Sequence, residues 1–287
     1  MVDLALSILC SSLIFVVFKL FATYNVQTVY AIVVNYIVAC ISGLFFNPSP
    51  ISVAGLLEQP WFYSTVVLGI LFIFIFNIMA KSSQLNGVGV TSVATKMSLV
   101  LPVLFAVFYY KEYLSSLQIL GIVLALTAVY LASLKSKTKN LDKLHLWLPF
   151  LVFLGSGVID TSIKFIQDGY LTDGQYPIFS ATVFGAAAVS GIVFISAKST
   201  KVPLQINFKN VIGGICLGIP NYFSIFFLLR ALNSKSLNSA SVFTLNNVAI
   251  VLFSTLLGIL LFKEKLLPKN WLGILLAVFS IILVALF

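Results

Sequence analysis

Lys96 lies about a third of the way into an otherwise apolar stretch, VTSVATKMSLVLPVLFAVF, and Asp160 and Lys164 lie four residues apart in another, GSGVIDTSIKFI. A charge in such a run costs about 3 kcal/mol on insertion scales, so it is kept for a partner or a pathway. Lys96 has Ser92 one turn before it and Thr95 beside it. We read it as a residue that meets a solute or a proton, with a structural partnership to a carboxylate as the alternative. The i,i+4 spacing puts Asp160 and Lys164 on one helix face, where each can offset the other's burial. That pair divides evenly between a packing salt bridge and a pathway element. Lys19 falls at the matching place in the first half of the chain, and snorkelling to the interface accounts for it as well as a pathway role does.

Uncharged polar residues extend the pattern. Thr91, Ser92, Thr95 and Lys96 correspond to a cluster of Thr244, Asn246 and Asn247 later in the chain. Facing lipid they would be costly, so both clusters are expected to point inward, either toward a cavity or as hydrogen-bond glue between helices. Asn35, Asn77, Asn221 and Tyr222 are candidates to extend the same lining. Pro102, Pro177 and Pro220 free carbonyls and bend helices, as gate points or as packing kinks. Cys10, Cys40 and Cys216 lack paired spacing and suggest no disulfide or metal site, and His145 opens a run beside a lysine cluster, an interfacial position.

Elements that could position these side chains follow from composition. Of 287 residues 60% are hydrophobic and 9% charged, with a mean hydropathy of +1.11. A water-soluble domain of this size needs far more charge, so the solvent is a membrane. At about 20 apolar residues per crossing, the chain divides into ten runs near 2–22, 28–46, 61–80, 88–110, 115–134, 145–166, 175–197, 209–231, 239–262 and 269–287. The first is read as a span, lacking a basic region and a cleavage site. The runs lack the alternation of barrel strands, so the expected fold class is an all-α integral membrane protein with ten transmembrane helices. Asn47-Pro48-Ser49-Pro50, Asn86-Gly87, Asp173-Gly174 and Pro268 mark loops.

The chain also repeats itself. Leu85-Asn86 falls on Leu237-Asn238, Lys111-Glu112 on Lys263-Glu264 and Gly121-Ile122 on Gly273-Ile274, all at the 152-position offset from Lys111 to Lys263. A polar linker at 135–144 separates residues 1–134 from 145–287, five runs on each side. An odd number of crossings per half makes the two units an inverted repeat, a common plan for secondary transporters.

The net charge of +9 is explained by lysine-rich loops and anionic lipid head groups, and nucleic acid is not expected as a partner. Lysines concentrate in the connections after odd-numbered runs, which would place both termini outside. No nucleophile with a base, paired carboxylate, metal-ligand set or phosphate loop is evident, so neither an enzyme nor a cofactor is expected.

Two five-helix units, each with a Lys-Glu pair closing its fourth helix before a Gly-Ile-rich fifth, as in KEYLSSLQILGIVLALTAVYL and KEKLLPKNWLGILLAVFSIILVAL, resemble the drug/metabolite transporter superfamily in its EamA-type ten-helix form. The resemblance covers nearly the whole chain. It implies a secondary transporter, an exporter of small organic solutes such as amino acids or metabolites, working by alternating access in a bacterial cytoplasmic membrane. It further implies a central cavity lined by the first four helices of each unit, with the fifth peripheral, and cytoplasmic termini, against the lysine count. Lys96 favours an anionic or zwitterionic solute, Asp160 leaves proton coupling open, and the protein is expected as a monomer or a weak homodimer. A passive facilitator or a non-transporting structural or assembly protein is the alternative, the latter requiring an interior packed shut.

Overall fold

In hydrocarbon every peptide group must find its partner within the chain, and the apolar runs meet that requirement as helices. The computed structural model describes residues 2–46, 53–111, 113, 115–134, 144–171, 175–199, 207–232 and 239–286, all helix and connection with no strand among them. In chain order the helices are α1 (Val2–Thr23), α2 (Thr28–Phe45), α3 (Val53–Leu57), α4 (Phe62–Asn86), α5 (Val88–Met97), α6 (Val100–Tyr110), α7 (Ser116–Ser133), α8 (Leu144–Tyr170), α9 (Tyr176–Ser199), α10 (Phe208–Leu232), α11 (Ser239–Phe262) and α12 (Pro268–Leu286).

Among the described residues eight stretches are long and apolar enough to cross a membrane, Val88–Tyr109 counting as one although it takes in α5 and nearly all of α6. The apolar parts of α7 and α12, Ser116–Ala132 and Pro268–Val284, are shorter. The chain is an integral, multi-pass membrane protein.

Two differences from the sequence reading have local causes. The run expected at 88–110 breaks at Ser98-Leu99. Pro102 has no N–H for the Ser98 carbonyl and its ring presses on that turn, so Leu101 N–H donates to Ser98 O at 2.9 Å instead. The run expected to stop at residue 80 continues to Asn86, which puts Lys81 inside α4. It ends where Gly87 takes φ 108°, a backbone conformation that suits glycine. The short α3 carries no hydropathy signal of its own. Of the expected loop markers, Asn47-Pro48-Ser49-Pro50 and Asp173-Gly174 lie outside the described residues, as do Glu112 and the linker up to residue 143.

The sequence repeat is also a repeat of local geometry. Lys111 and Lys263 both adopt left-handed backbone, at φ 60° and 53°. Four residues on, the Gln118 side-chain oxygen accepts from Ser115 N at 2.9 Å, and at the same offset the Asn270 side-chain oxygen accepts from Leu267 N at 2.7 Å. Each bond pins the start of the helix that follows, α7 and α12. These two helices pack on each other: Gly121 lies against Val284 and Gly273 against Ala132. The two contacts exchange under the 152-position offset.

Hydrogen bonds and ion pairs at the helix ends fix which ends share a face of the bundle. On one face Gln27, before α2, accepts from Asn210 of α10 at 2.9 Å, Asn270 of α12 donates to Leu134 O after α7 at 2.7 Å, and Lys19 of α1 donates to Gln84 O of α4 at 2.9 Å. On the other face Trp61, before α4, donates to Gln175, before α9, at 3.3 Å, and Arg230 of α10 lies 3.5 Å from Asp3 of α1. The core between the faces is mainly aliphatic and holds one aromatic cluster, in which Tyr36 and Phe72 contact each other and both Phe76 and Phe184.

Glycine sets the closeness of α4 to α9. A Cβ at Gly69 would come within 2.6 Å of the Ala186 carbonyl carbon and Ala187 N, which are backbone and cannot turn aside. Gly69→Ala is therefore expected to destabilise the protein by about 1–3 kcal/mol, the range for overpacking a close contact. Thermal unfolding in detergent reads this, and an unchanged midpoint would show that the two helices are free to part.

Candidate functional site

A cavity of about 540 Å³ lies near the middle of the bundle. α1 contributes Ser11, Ile14 and Phe15, α4 contributes Phe72 to Met79 on one face, and α8 contributes Ser156, Ile159, Asp160 and Ile163. α10 adds Ser224, Ile225 and Leu228, and α11 adds Asn246 and Asn247. Thr95 and Lys96 of α5, Ser98 and Leu99 in the break, and Pro102 and Val103 of α6 complete one wall. Among the described residues none of α2, α7 or α9 is on the wall, whereas α12 reaches it through Val284. The expected lining by the first four helices of each unit, with the fifth set apart, thus needs correction: α2 and α9 stand back to brace α4 and α10, and one fifth helix touches the space.

The break before Pro102 shapes the polar part of this wall. Ser98, released from regular helix, donates to Asp160 Oδ2 at 2.9 Å, while its hydroxyl also lies 2.6 Å from Thr95 O. Asp160 keeps accessible surface because it faces the cavity. Lys96 is the cation that acts on it electrostatically, and both lie on the wall. Two opposite charges thus share a water-accessible space inside an apolar bundle, which lowers the cost of holding either one there.

Asn246 is anchored for its position. Ser7 lies 3.2 Å from its side-chain oxygen and donates to Ser224 O at 2.9 Å, tying α1, α10 and α11 together at the cavity edge. Asn247 stands next to it on the wall.

The remaining sequence candidates lie elsewhere. Ser92 is buried and bonds back to Gly89 O at 2.9 Å. Asn35 accepts from Asn221 Nδ2 at 3.1 Å, a buried amide pair that joins α2 to α10 and is not on the cavity wall. Asn77 bonds to Ile73 O within its own helix at 2.6 Å. Tyr222 stacks on Phe46 and Phe226. Lys164 is exposed on α8 and off the wall, its long side chain lying nearer the end of the helix than Asp160. Asp160 thus accepts from Ser98 and shares its wall with Lys96, while Lys164, the partner expected from the i,i+4 spacing, is not on that wall. The Thr244 side chain lies outside the described residues.

Sequence reasoning passed over Ser98. The signal was present: it stands four residues before Pro102, where proline frees a turn.

Lys19 is off the cavity wall. Its ammonium lies 3.6 Å from Glu264 Oε1, in a cluster at the helix ends rather than in the cavity.

No family model matches this chain. An uncharacterized protein of Haemophilus influenzae is 30% identical over 288 residues, covering 97% of this chain and 96% of that one. This chain belongs to the same family as that protein. A second relative of the chain, the "Probable glucose uptake protein GlcU" of Staphylococcus aureus, is 28% identical over 211 residues, 71% of this chain and 70% of its own. A crystal structure of a protein 15% identical to this member of the family superimposes with a TM-score of 0.60 over 98% of this chain and 96% of that one, so the two share a fold.

Proposed function

We propose that this protein is a secondary transporter that carries a small polar organic solute through the cavity by alternating access, in the manner of the ten-helix drug/metabolite transporters. The observation that carries the reading is the cavity itself. A structural or assembly protein would have its interior packed shut, while here a space of about 540 Å³ is lined by Lys96, Asp160, Asn246 and Asn247. That volume falls within the range of sites for small organic ligands. The contacts that exchange at the 152-position offset, Gly121 with Val284 and Gly273 with Ala132, support two units related by an axis in the membrane plane, with ten crossings in all.

The cargo follows from the chemistry of the wall. Lys96 and Asp160 cancel in charge, and amides, hydroxyls and phenyl rings stand around them. Such a lining suits a neutral polyol, which needs both donors and acceptors and offers an apolar ring face. The similarity to a protein named for glucose uptake points the same way, and toward uptake rather than export. A zwitterionic amino acid is the second reading, favoured by the paired opposite charges. Asp160 is the cavity group at which a proton could couple to either cargo.

Purified protein in proteoliposomes, offered radiolabelled D-glucose and a panel of amino acids, tests this. The expected result is saturable entry of D-glucose well above empty liposomes. Saturable entry of an amino acid alone would select the second cargo, and no flux above background across the panel, with or without a proton gradient, would defeat the transport reading.

A further inference from the structure

The second copy of the Lys-Glu motif, Lys263-Glu264, is not on the cavity wall, yet it holds several helix ends together. Glu264, just beyond α11, accepts from Val88 N through both carboxylate oxygens, at 3.0 and 3.2 Å. Val88 opens α5, so the carboxylate sits on the positive end of that helix. Lys19 of α1 lies 3.6 Å from the same carboxylate and donates to Gln84 O near the end of α4 at 2.9 Å. One carboxylate thereby ties together α1, α4, α5 and α11, each of which contributes to the cavity wall. The space left for it is close-fitting: a Cβ at Gly87 would come within 2.7 Å of Glu264 Oε2, and one at Gly258 within 2.6 Å.

Between this tie and the cavity the packing is closed. Phe18, Ser82, Ser83 and Thr91 are fully buried, with Ser82 and Thr91 hydrogen-bonded at 2.8 Å and Ser83 donating to Phe15 O at 2.8 Å. The opposite direction differs. Phe72, Ile163 and Ile225 line both the cavity and a second pocket of about 170 Å³, which continues past Gln167 to Leu171 and Phe179, near the end of α8 and the start of α9. The cavity thus leads toward the α8–α9 face, and it is sealed toward the Glu264 face.

We infer that Glu264 is a latch that holds the cavity shut toward its own face of the membrane, and that breaking its contacts with α5 and Lys19 turns the cavity to that face. This rests on the reading of the cavity as a transport site, in which each face must open in turn. A charge-assisted contact to a helix start is well suited to such a duty, being strong while shielded and readily exchanged for water once the helices part.

The test reads which face of the membrane reaches the cavity, without any transport assay. In full-length protein with Cys10, Cys40 and Cys216 replaced by Ser, a single cysteine replaces Ser11 on the cavity wall. A membrane-impermeant maleimide is then applied to right-side-out and to inverted vesicles. Labelling is expected from the α8–α9 face alone. Glu264→Gln should raise labelling from the Glu264 face roughly tenfold or more, the scale of one lost charge-assisted contact, and Lys19→Met should raise it less.

A cysteine replacing Ser180, in the second pocket, should stay reactive from the α8–α9 face in every background. Unchanged sidedness in a folded Glu264→Gln protein would overturn the latch. So would a loss of folded protein in both variants with no change in sidedness among the molecules that remain. Should Glu264→Gln fail to fold, the direction of the Lys19→Met result decides. A switch in sidedness without D-glucose flux would keep the latch and reject the cargo, so the two readings fail separately.

Discussion

A Lys96→Met variant is expected to reach the membrane in normal amount and to lose transport by roughly tenfold or more. Methionine keeps the length and helix propensity of the side chain and removes only the charge. Insertion should survive because the residue left behind, Asp160, has accessible surface in the cavity and a hydrogen bond from Ser98 at 2.9 Å, so it is neither dry nor unpartnered. Transport should not survive, since the wall loses a cation placed to contact cargo, a contact of about 1.5–3 kcal/mol when charge-assisted. Initial uptake rates of D-glucose in proteoliposomes, normalised to reconstituted protein, measure it. Full transport at saturating and at low concentration would return Lys96 to a structural role as the counter-charge of Asp160.

The second large effect separates that structural role from the functional one. Asp160→Asn leaves Lys96 on the wall without its opposite charge, and is expected to destabilise the protein by about 1–3 kcal/mol. Lys96→Met combined with Asp160→Asn should recover most of that loss, because no charge is left uncompensated. Neither variant should recover transport. Thermal unfolding in detergent gives the coupling between the two positions, and uptake gives the function. Additive destabilisation would mean that Lys96 and Asp160 do not interact. The same cycle with Lys164→Met in place of Lys96→Met should show little coupling, as expected of an exposed residue off the cavity wall.

Much of the site was legible before any fold was known. Lys96, Thr95, Asp160, Asn246 and Asn247 stood out because a charge or an amide in an apolar run is costly, and all five are on the wall of one cavity. Asn35 and Asn221 stood out by the same rule and proved to be bonded to each other between α2 and α10. The rule detects a polar group that must be satisfied. It does not say whether water, cargo or another amide satisfies it.

What the sequence by itself determined is whatever depends on solvent and on local backbone. Hydropathy required helices in a membrane, Pro102 and Gly87 fixed where two of them break or end, and the 152-position repeat fixed matching turns at Lys111 and Lys263. Tertiary structure decided the partners. Lys164 lies only four residues from Asp160 in sequence, yet Asp160 shares its cavity with Lys96, 64 positions away. Glu264, marked in the sequence only as half of the repeated Lys-Glu pair, meets Val88 and Lys19 from the other end of the chain. Those choices rest on which helices pack together and in what rotation about their axes. Such packing is set by side-chain shape across contacts such as Gly69 on Ala187, and periodicity along one helix carries no record of it.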